Sequence, residues 1–262
     1  MSTSHTFLAI WLAAAWMMAA GWAWQWRKNN AGIVDVLWSI GVGGAAVWAA
    51  LAGSGAGATR AVLAILGGLW GGRLALHLWR RVRGEAEDGR YRALRAHWHG
   101  HQGKFFAFFQ FQAFLVALFA VPFVAVAANP ATHVGWIGVA IAVWLVGVVG
   151  ESLADRQLAH FRAQPANRGK TCRDGFWRYS RHPNYFFEWL HWFAYVALAV
   201  GSPVGWLAWS GPLVMFLFLR FVSGVPYTET QALRSRGDEY RRYQRDTPMF
   251  FPWFPSRHSE DT

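Results

Sequence analysis

The sequence predicts an all-α polytopic membrane protein of seven transmembrane helices, with the N-terminus outside and the C-terminus in the cytoplasm. Three observations lead there. Hydrophobic residues make up 54% of the 262 and charged residues only 15%, a balance that fits no ordinary soluble domain. The apolar residues gather in seven blocks of about 20, the length a helix needs to cross roughly 30 Å of hydrocarbon. Lys and Arg alternate between crowded and empty connections, as expected when basic segments are held on the cytoplasmic side.

The first block, residues 6–26, has no Lys or Arg before it and exceeds the apolar core of a signal peptide, so it reads as a retained span. Arg27 and Lys28 follow it. The second block, 33–52, ends at a Gly/Ala/Ser stretch, 53–58, that reads as an exposed turn, with Arg60 just beyond. Block three, 61–79, leads into a loop of about 81–104; Arg80, Arg81, Arg83, Arg90, Arg92, Arg95 and Lys104 lie between it and block four. After block four, 105–127, the connection 128–133 has neither Lys nor Arg. Block five, 134–150, runs toward a loop of about 156–182 with seven basic residues, from Arg156 to Arg181. Blocks six and seven, 185–200 and 204–221, are joined by another bare connection, and a basic tail occupies 223–262. Only an odd number of spans reproduces this alternation, with Arg60 as the single exception. The whole chain, 1–262, is expected to form one domain.

The net charge of +11 is explained by a basic cytoplasmic face against anionic headgroups. Nucleic-acid binding is disfavoured because the basic residues sit between spans and form no domain of their own. Cys172, the only cysteine, makes no intrachain disulfide and reads as a bystander. The 18 Trp and 20 Phe suit lipid-facing and interfacial anchoring.

Five ionisable residues fall inside or at the edge of the apolar blocks: Asp35, Arg73, Glu151, Glu188 and Arg220. Such groups cost several kcal/mol in lipid unless paired or hydrated. Either they snorkel and pair to hold helices together, or they line a polar cavity open to the cytoplasm; the short side chains of Asp35 and Glu151 favour the cavity. Helical spacing places Arg73 and His77 on one face, and Glu151, Asp155 and Arg162 on another if the fifth helix continues past the membrane. A solvated helix face gives the same pattern as that last stripe.

Residues 174–188 read DGFWRYSRHPNYFFE. Pro183 suits the first turn of a helix, where its missing N–H costs nothing. Arg178, Arg181, His182 and Asn184 would then surround a positive helix end, a good site for phosphate or pyrophosphate. Anchoring by positive charge explains the arginines but not the His-Pro-Asn-Tyr sequence.

Together with residues 151–157 (ESLADRQ) and 35–39 (DVLWS), with Ser223-Gly224-Val225 and with Tyr240, Tyr243 and Pro252, this segment resembles the bacterial steroid 5-alpha-reductase-like membrane proteins, catalogued as domain of unknown function 1295. The core RHPxY pattern is shared with isoprenylcysteine and phospholipid methyltransferases. The resemblance implies a seven-helix fold in a bacterial inner membrane, holding NADPH in a cytoplasm-facing cavity. It matches Glu151, Asp155 and Arg162 on the fifth helix, Asn184 and Glu188 on the sixth, Arg73 on the third and Arg220 near the end of the seventh to cofactor contacts. Arg178, Tyr179, Arg181 and Tyr185 are assigned to the same site. On the substrate side, Asp35 stands for the usual Glu, and Trp70 takes the apparent place of a Tyr. Phe187 replaces a small residue before Glu188.

The expected reaction is hydride transfer from NADPH to an enone or similar activated alkene of a lipophilic, steroid-like or isoprenoid substrate. A protonated Asp35, assisted by His77 or Trp70, would hydrogen-bond the carbonyl oxygen; alternatively Asp35 pairs with Arg73 as a structural bridge. No metal and no obligatory protein partner is expected. The rival readings are an S-adenosylmethionine-dependent membrane methyltransferase and a non-enzymatic membrane protein.

Overall fold

In the computed structural model, residues 3–256 are described, and they are helical with no strand. Among the described residues six helices are long and apolar enough to cross a membrane, which marks the chain as an integral membrane protein. The α-helices are α1 (Thr3–Lys28), α2 (Ile33–Ala52), α3 (Gly57–Gly84), α4 (Gly89–His97), α5 (Gln102–Ala127), α6 (Val134–Ala163), α7 (Pro183–His191), α8 (Phe193–Leu198), α9 (Ser210–Leu217), α10 (Val225–Arg236) and α11 (Asp238–Asp246). The chain divides into two compact units, Met1–Ala140 with Tyr195–Gly211 and Ile141–Ala194 with Pro212–Thr262.

In the first unit α2 is the central helix, packed on α1, α3 and α5. Its approach to α3 depends on small residues: a Cβ on Gly71 would stand 2.7 Å from the Gly43 Cα, and one on Gly67 2.3 Å from the Ala46 Cβ. In hydrocarbon, where apolar burial no longer drives helices together, such close backbone contact is what holds them. Arg60, the exception to the charge alternation, has a local task. Its guanidinium donates to the carbonyls of Ala50, Gly53 and Gly55, closing the C-terminal end of α2. The basic loop after α3 folds back as α4, with Asp88 accepting from the Arg90 amide as its N-cap.

The second unit starts within α6, which runs unbroken for 30 residues. At 1.5 Å per residue it is about 45 Å long, so it outreaches a hydrocarbon core of roughly 30 Å. The continuation past the membrane that the Glu151/Asp155/Arg162 stripe required is therefore present.

The expected sixth span, 185–200, is not one helix. It breaks at Trp192 into α7 and α8. His191 Nδ1 lies 2.5 Å from the Glu188 carbonyl, the acceptor that the Trp192 amide would need to continue the helix. That amide bonds the Trp189 carbonyl instead, tightening the last turn. The expected seventh span is likewise composite: a 3₁₀ segment, Gly205–Trp209, then α9, then a π-helical turn, Phe218–Val222.

Candidate functional site

Within the first unit the charges near the end of α2 close on one another. Asp35 accepts from Arg90 at 3.1 Å and from the Tyr91 hydroxyl at 2.6 Å. The expected structural bridge from Asp35 to Arg73 is thus replaced by an ion pair to Arg90 in α4. Asp88 joins Arg90 to Arg81, at 3.3 and 2.5 Å. Burial would raise the Asp88 carboxyl, but the hydrogen bond from the Arg90 amide and the charges of Arg90 and Arg81 bring it below its ordinary value. Burial foremost, with Asp35 beside it, lifts the Tyr91 phenol well above its usual range, so it stays protonated and acts as a donor. A second link runs from Glu87, which accepts from the Ala31 amide and from Arg95. Sequence reasoning missed Glu87, Asp88, Arg90 and Tyr91. The signal was three acidic residues, Glu85, Glu87 and Asp88, in an otherwise basic loop. Of the residues expected to assist Asp35, Trp70 is fully buried with its ring against Trp38, and His77 is exposed.

In the second unit the two motif segments fold against each other. Gln157 of α6 accepts from the Phe176 amide, and Trp177 donates its indole N–H to the Ala154 carbonyl. Gly175 is required at this crossing: its φ is +57°, and a Cβ would meet the Gln157 side chain at 2.4 Å. Tyr243 donates toward the carbonyls of Trp177 and Ser180, while the Ser180 hydroxyl donates to the Phe250 carbonyl. Arg181 turns to this C-terminal knot. Its Nε donates to Glu229 at 2.7 Å, and one terminal nitrogen donates to the Gln244 and Thr247 carbonyls at 2.9 and 2.7 Å. His182 reaches the same Glu229 oxygen at 3.2 Å, and Gln244 donates to the other. Burial holds the His182 imidazole below its ordinary range in spite of the Glu229 bond. Arg181 and Tyr179, read as cofactor contacts, are both tied into this knot; the Tyr179 carbonyl accepts from the Trp253 amide. Glu229 was missed by sequence reasoning, and no motif announced it.

One turn further on, the character of the segment changes. Asn184, in the first turn of α7, donates its amide to Asp155 at 3.1 Å across to α6 and receives the Tyr185 amide on its own carbonyl oxygen. Glu151 lies one turn back on the Asp155 face of α6. Tyr185 stacks on His182 with ring planes 3° apart, its hydroxyl 3.1 Å from Thr228. Glu188 sits 3.6 Å from His191, a buried partner that sequence reasoning missed. Arg178 and Arg162 are exposed. Arg220 lies in the π-helical turn with its guanidinium over Phe221, at 4.8 Å from the ring centre; such turns are frequent at functional sites.

The bulk of Phe187 is accommodated by α6. A Cβ on Gly150 would lie 2.4 Å from that ring, and one on Gly147 would lie 2.6 Å from the His191 Cβ. Glycines facing α7 thus make room for the large residue before Glu188, and Phe176 closes on the ring at 5.1 Å. Burial pushes the Cys172 thiol up, consistent with an inert cysteine. Among the described residues no group of His, Cys, Asp and Glu has the form of a metal site.

The fold and this face define a polytopic helical membrane protein whose α6 and α7 present carboxylates and an amide beside a helix N-terminus. Residues 21–247 match the family described as Protein of unknown function (DUF1295), and the chain belongs to that family. Neither the curated proteins nor the solved structures give a match.

Proposed function

We propose that this protein is a membrane reductase that binds NADPH and transfers hydride to an activated C=C bond, such as that of an enone, in a lipophilic steroid-like or isoprenoid substrate. One observation carries the reading: the Asn184 amide meets Asp155 across α6 and α7, uniting two residues that the steroid-reductase resemblance assigns to the dinucleotide. The surrounding donor set fits such a cofactor. Carboxylates of Glu151 and Asp155 are of the kind that accept ribose hydroxyls, and exposed Arg162 and Arg178 supply guanidinium groups for phosphate. The first-turn N–H groups of α7 add a positive helix end. When bound, the cofactor supplies the hydride.

The chain's own residues hold the nucleotide, keep Asn184 oriented through Asp155, and provide an acid for the substrate carbonyl. For that acid the reading keeps Asp35 in its protonated form, released from Arg90, with the Tyr91 hydroxyl beside it in place of Trp70. On this reading the chain crosses a bacterial inner membrane seven times, α7 and α8 together making the sixth crossing, with the N-terminus outside. The Arg60 bonds to the end of α2 support the orientation, because they account for the one cation that breaks the charge alternation.

Calorimetric titration of the detergent-solubilised protein tests the proposal. Submicromolar binding of NADPH, with no heat from S-adenosylmethionine, is expected. The reverse result overturns the reductase in favour of the methyltransferase, and a non-enzymatic membrane protein is expected to bind neither.

A further inference from the structure

On the outer side of α2, away from Asp35, lies a cavity of about 560 Å³ that the proposed reduction does not use. Its floor is the Ile33/Val36/Leu37/Ile40 face of α2, and α1 and α3 wall it on either side. The lining is apolar throughout. Ile40 and Leu76 stand on its rim at 47% and 50% exposure, so it opens sideways rather than toward either end of the bundle. In a membrane-spanning bundle that direction is hydrocarbon. Along α2 the groove covers two turns, about 10 Å.

At one end the rings of Trp24 and Trp79 approach to 6.4 Å between centroids. One helical turn beyond each tryptophan stands a cation on the same stripe, Lys28 four residues after Trp24 and Arg83 four after Trp79. Both are exposed, and the Arg83 guanidinium lies 5.3 Å from the Trp79 ring centre. The groove therefore joins an apolar trough, open to lipid, to two positive charges at the depth where the apolar helices end.

We infer that this groove holds one acyl chain of an anionic phospholipid, with the headgroup phosphate between Lys28 and Arg83. An acyl chain enters laterally from the bilayer without crossing water. Two cations near the surface each favour an anionic over a zwitterionic headgroup by an amount that together exceeds a factor of ten.

Native mass spectrometry of the full chain tests the site. Delipidated protein is titrated with dioleoylphosphatidylglycerol, dioleoylphosphatidylcholine and oleate. The wild type is expected to retain one phosphatidylglycerol, preferred about tenfold over phosphatidylcholine. The double variant Lys28→Gln/Arg83→Gln should keep a bound lipid but lose that preference. Ile40→Trp, which fills the groove from an exposed position, should lose the retained lipid while unfolding at the wild-type temperature. Leu76→Trp repeats that test from the α3 wall, should Ile40→Trp fold poorly. Equal retention of the two phospholipids by the wild type overturns the inference, as does unchanged phosphatidylglycerol retention in both filled variants. Tighter retention of oleate than of phosphatidylglycerol reassigns the groove to a free fatty acid and overturns it too.

Discussion

Arg181 and Asn184 are three residues apart in one motif, yet they belong to two different structures. Arg181 is 7% exposed and spends its bonds on Glu229 and on two carbonyls of the C-terminal segment. Asn184 begins a helix and reaches sideways to a carboxylate on α6. The first arrangement closes the protein on itself, and the second presents polar groups that a ligand can share. A motif written as RHPNY thus combines a structural clamp with a candidate site, and its residues are interchangeable neither in role nor in the cost of losing them.

The largest effect should come from the clamp. Replacing Arg181 with Met leaves Glu229 partly buried beside His182 without its guanidinium partner, a loss of about 3–5 kcal/mol by the usual cost of breaking a buried pair. Cys172 gives the readout: its thiol is buried in the segment that Glu239 ties down through the Thr171 amide and hydroxyl. Labelling of this single cysteine by a thiol reagent should accelerate sharply in Arg181→Met. A variant that labels as slowly as wild type would show that the clamp is dispensable.

The facing side of the comparison predicts an inverse pattern. Asp155→Ala and Asn184→Ala should leave Cys172 labelling unchanged and weaken NADPH binding on the order of 10- to 100-fold, the worth of one hydrogen bond to a charged group. Calorimetry measures the second quantity. Affinity equal to wild type in both variants would remove the α6/α7 face from the site and the proposed reductase with it.

How much of this was legible in the sequence depends on the length of the signal. The apolar block 33–52 was read to the residue as α2, because a run of apolar residues about 20 long has few other solutions in a membrane, whereas helices that continue beyond the apolar block, such as α3 and α6, were read short. The 185–200 block also read as one span, but a His side chain taking one main-chain acceptor broke it. Hydropathy does not register that event. Charge pairing was the least legible feature. Asp35 and Arg73 are both intramembrane charges and made a natural couple, whereas the actual partner, Arg90, came from a loop helix 55 positions away. Spacing rules find partners within one helix, and a residue that returns from a loop lies outside their reach. Asp155 and Asn184 were brought together on paper only by the family resemblance.

A smaller effect on stability accompanies the variant that separates the two readings of Asp35. Its pair with Arg90 is about one-third exposed on both sides, at 31% and 34%, so solvent screening limits its contribution to roughly 1 kcal/mol. Asp35→Asn should therefore fold and bind NADPH nearly as wild type. If Asp35 supplies the acid, turnover of an enone should fall by orders of magnitude in this variant while cofactor affinity holds. Unchanged turnover leaves Asp35 as a docking point for α4.

The smallest effect is a pH dependence located in the clamp. His182 is held below its ordinary value of 6.5, chiefly by burial, with Glu229, Arg181 and Arg220 as the charges around it. Between 6.5 and its lower native value, the unfolded chain binds a proton that the folded chain does not. Stability therefore rises with pH across that window and is lost as pH falls through it, with a slope of at most about 1.4 kcal/mol per pH unit for one proton. His182→Gln keeps a donor toward Glu229 but cannot titrate. Its unfolding midpoint should vary less than the wild type's just below pH 6.5. Groups elsewhere act on both proteins alike, so the difference between the two profiles isolates the imidazole. Parallel profiles would mean that His182 carries no proton-linked share of the clamp, and that it acts there only as a neutral neighbour of Glu229 beside Arg181 and Gln244.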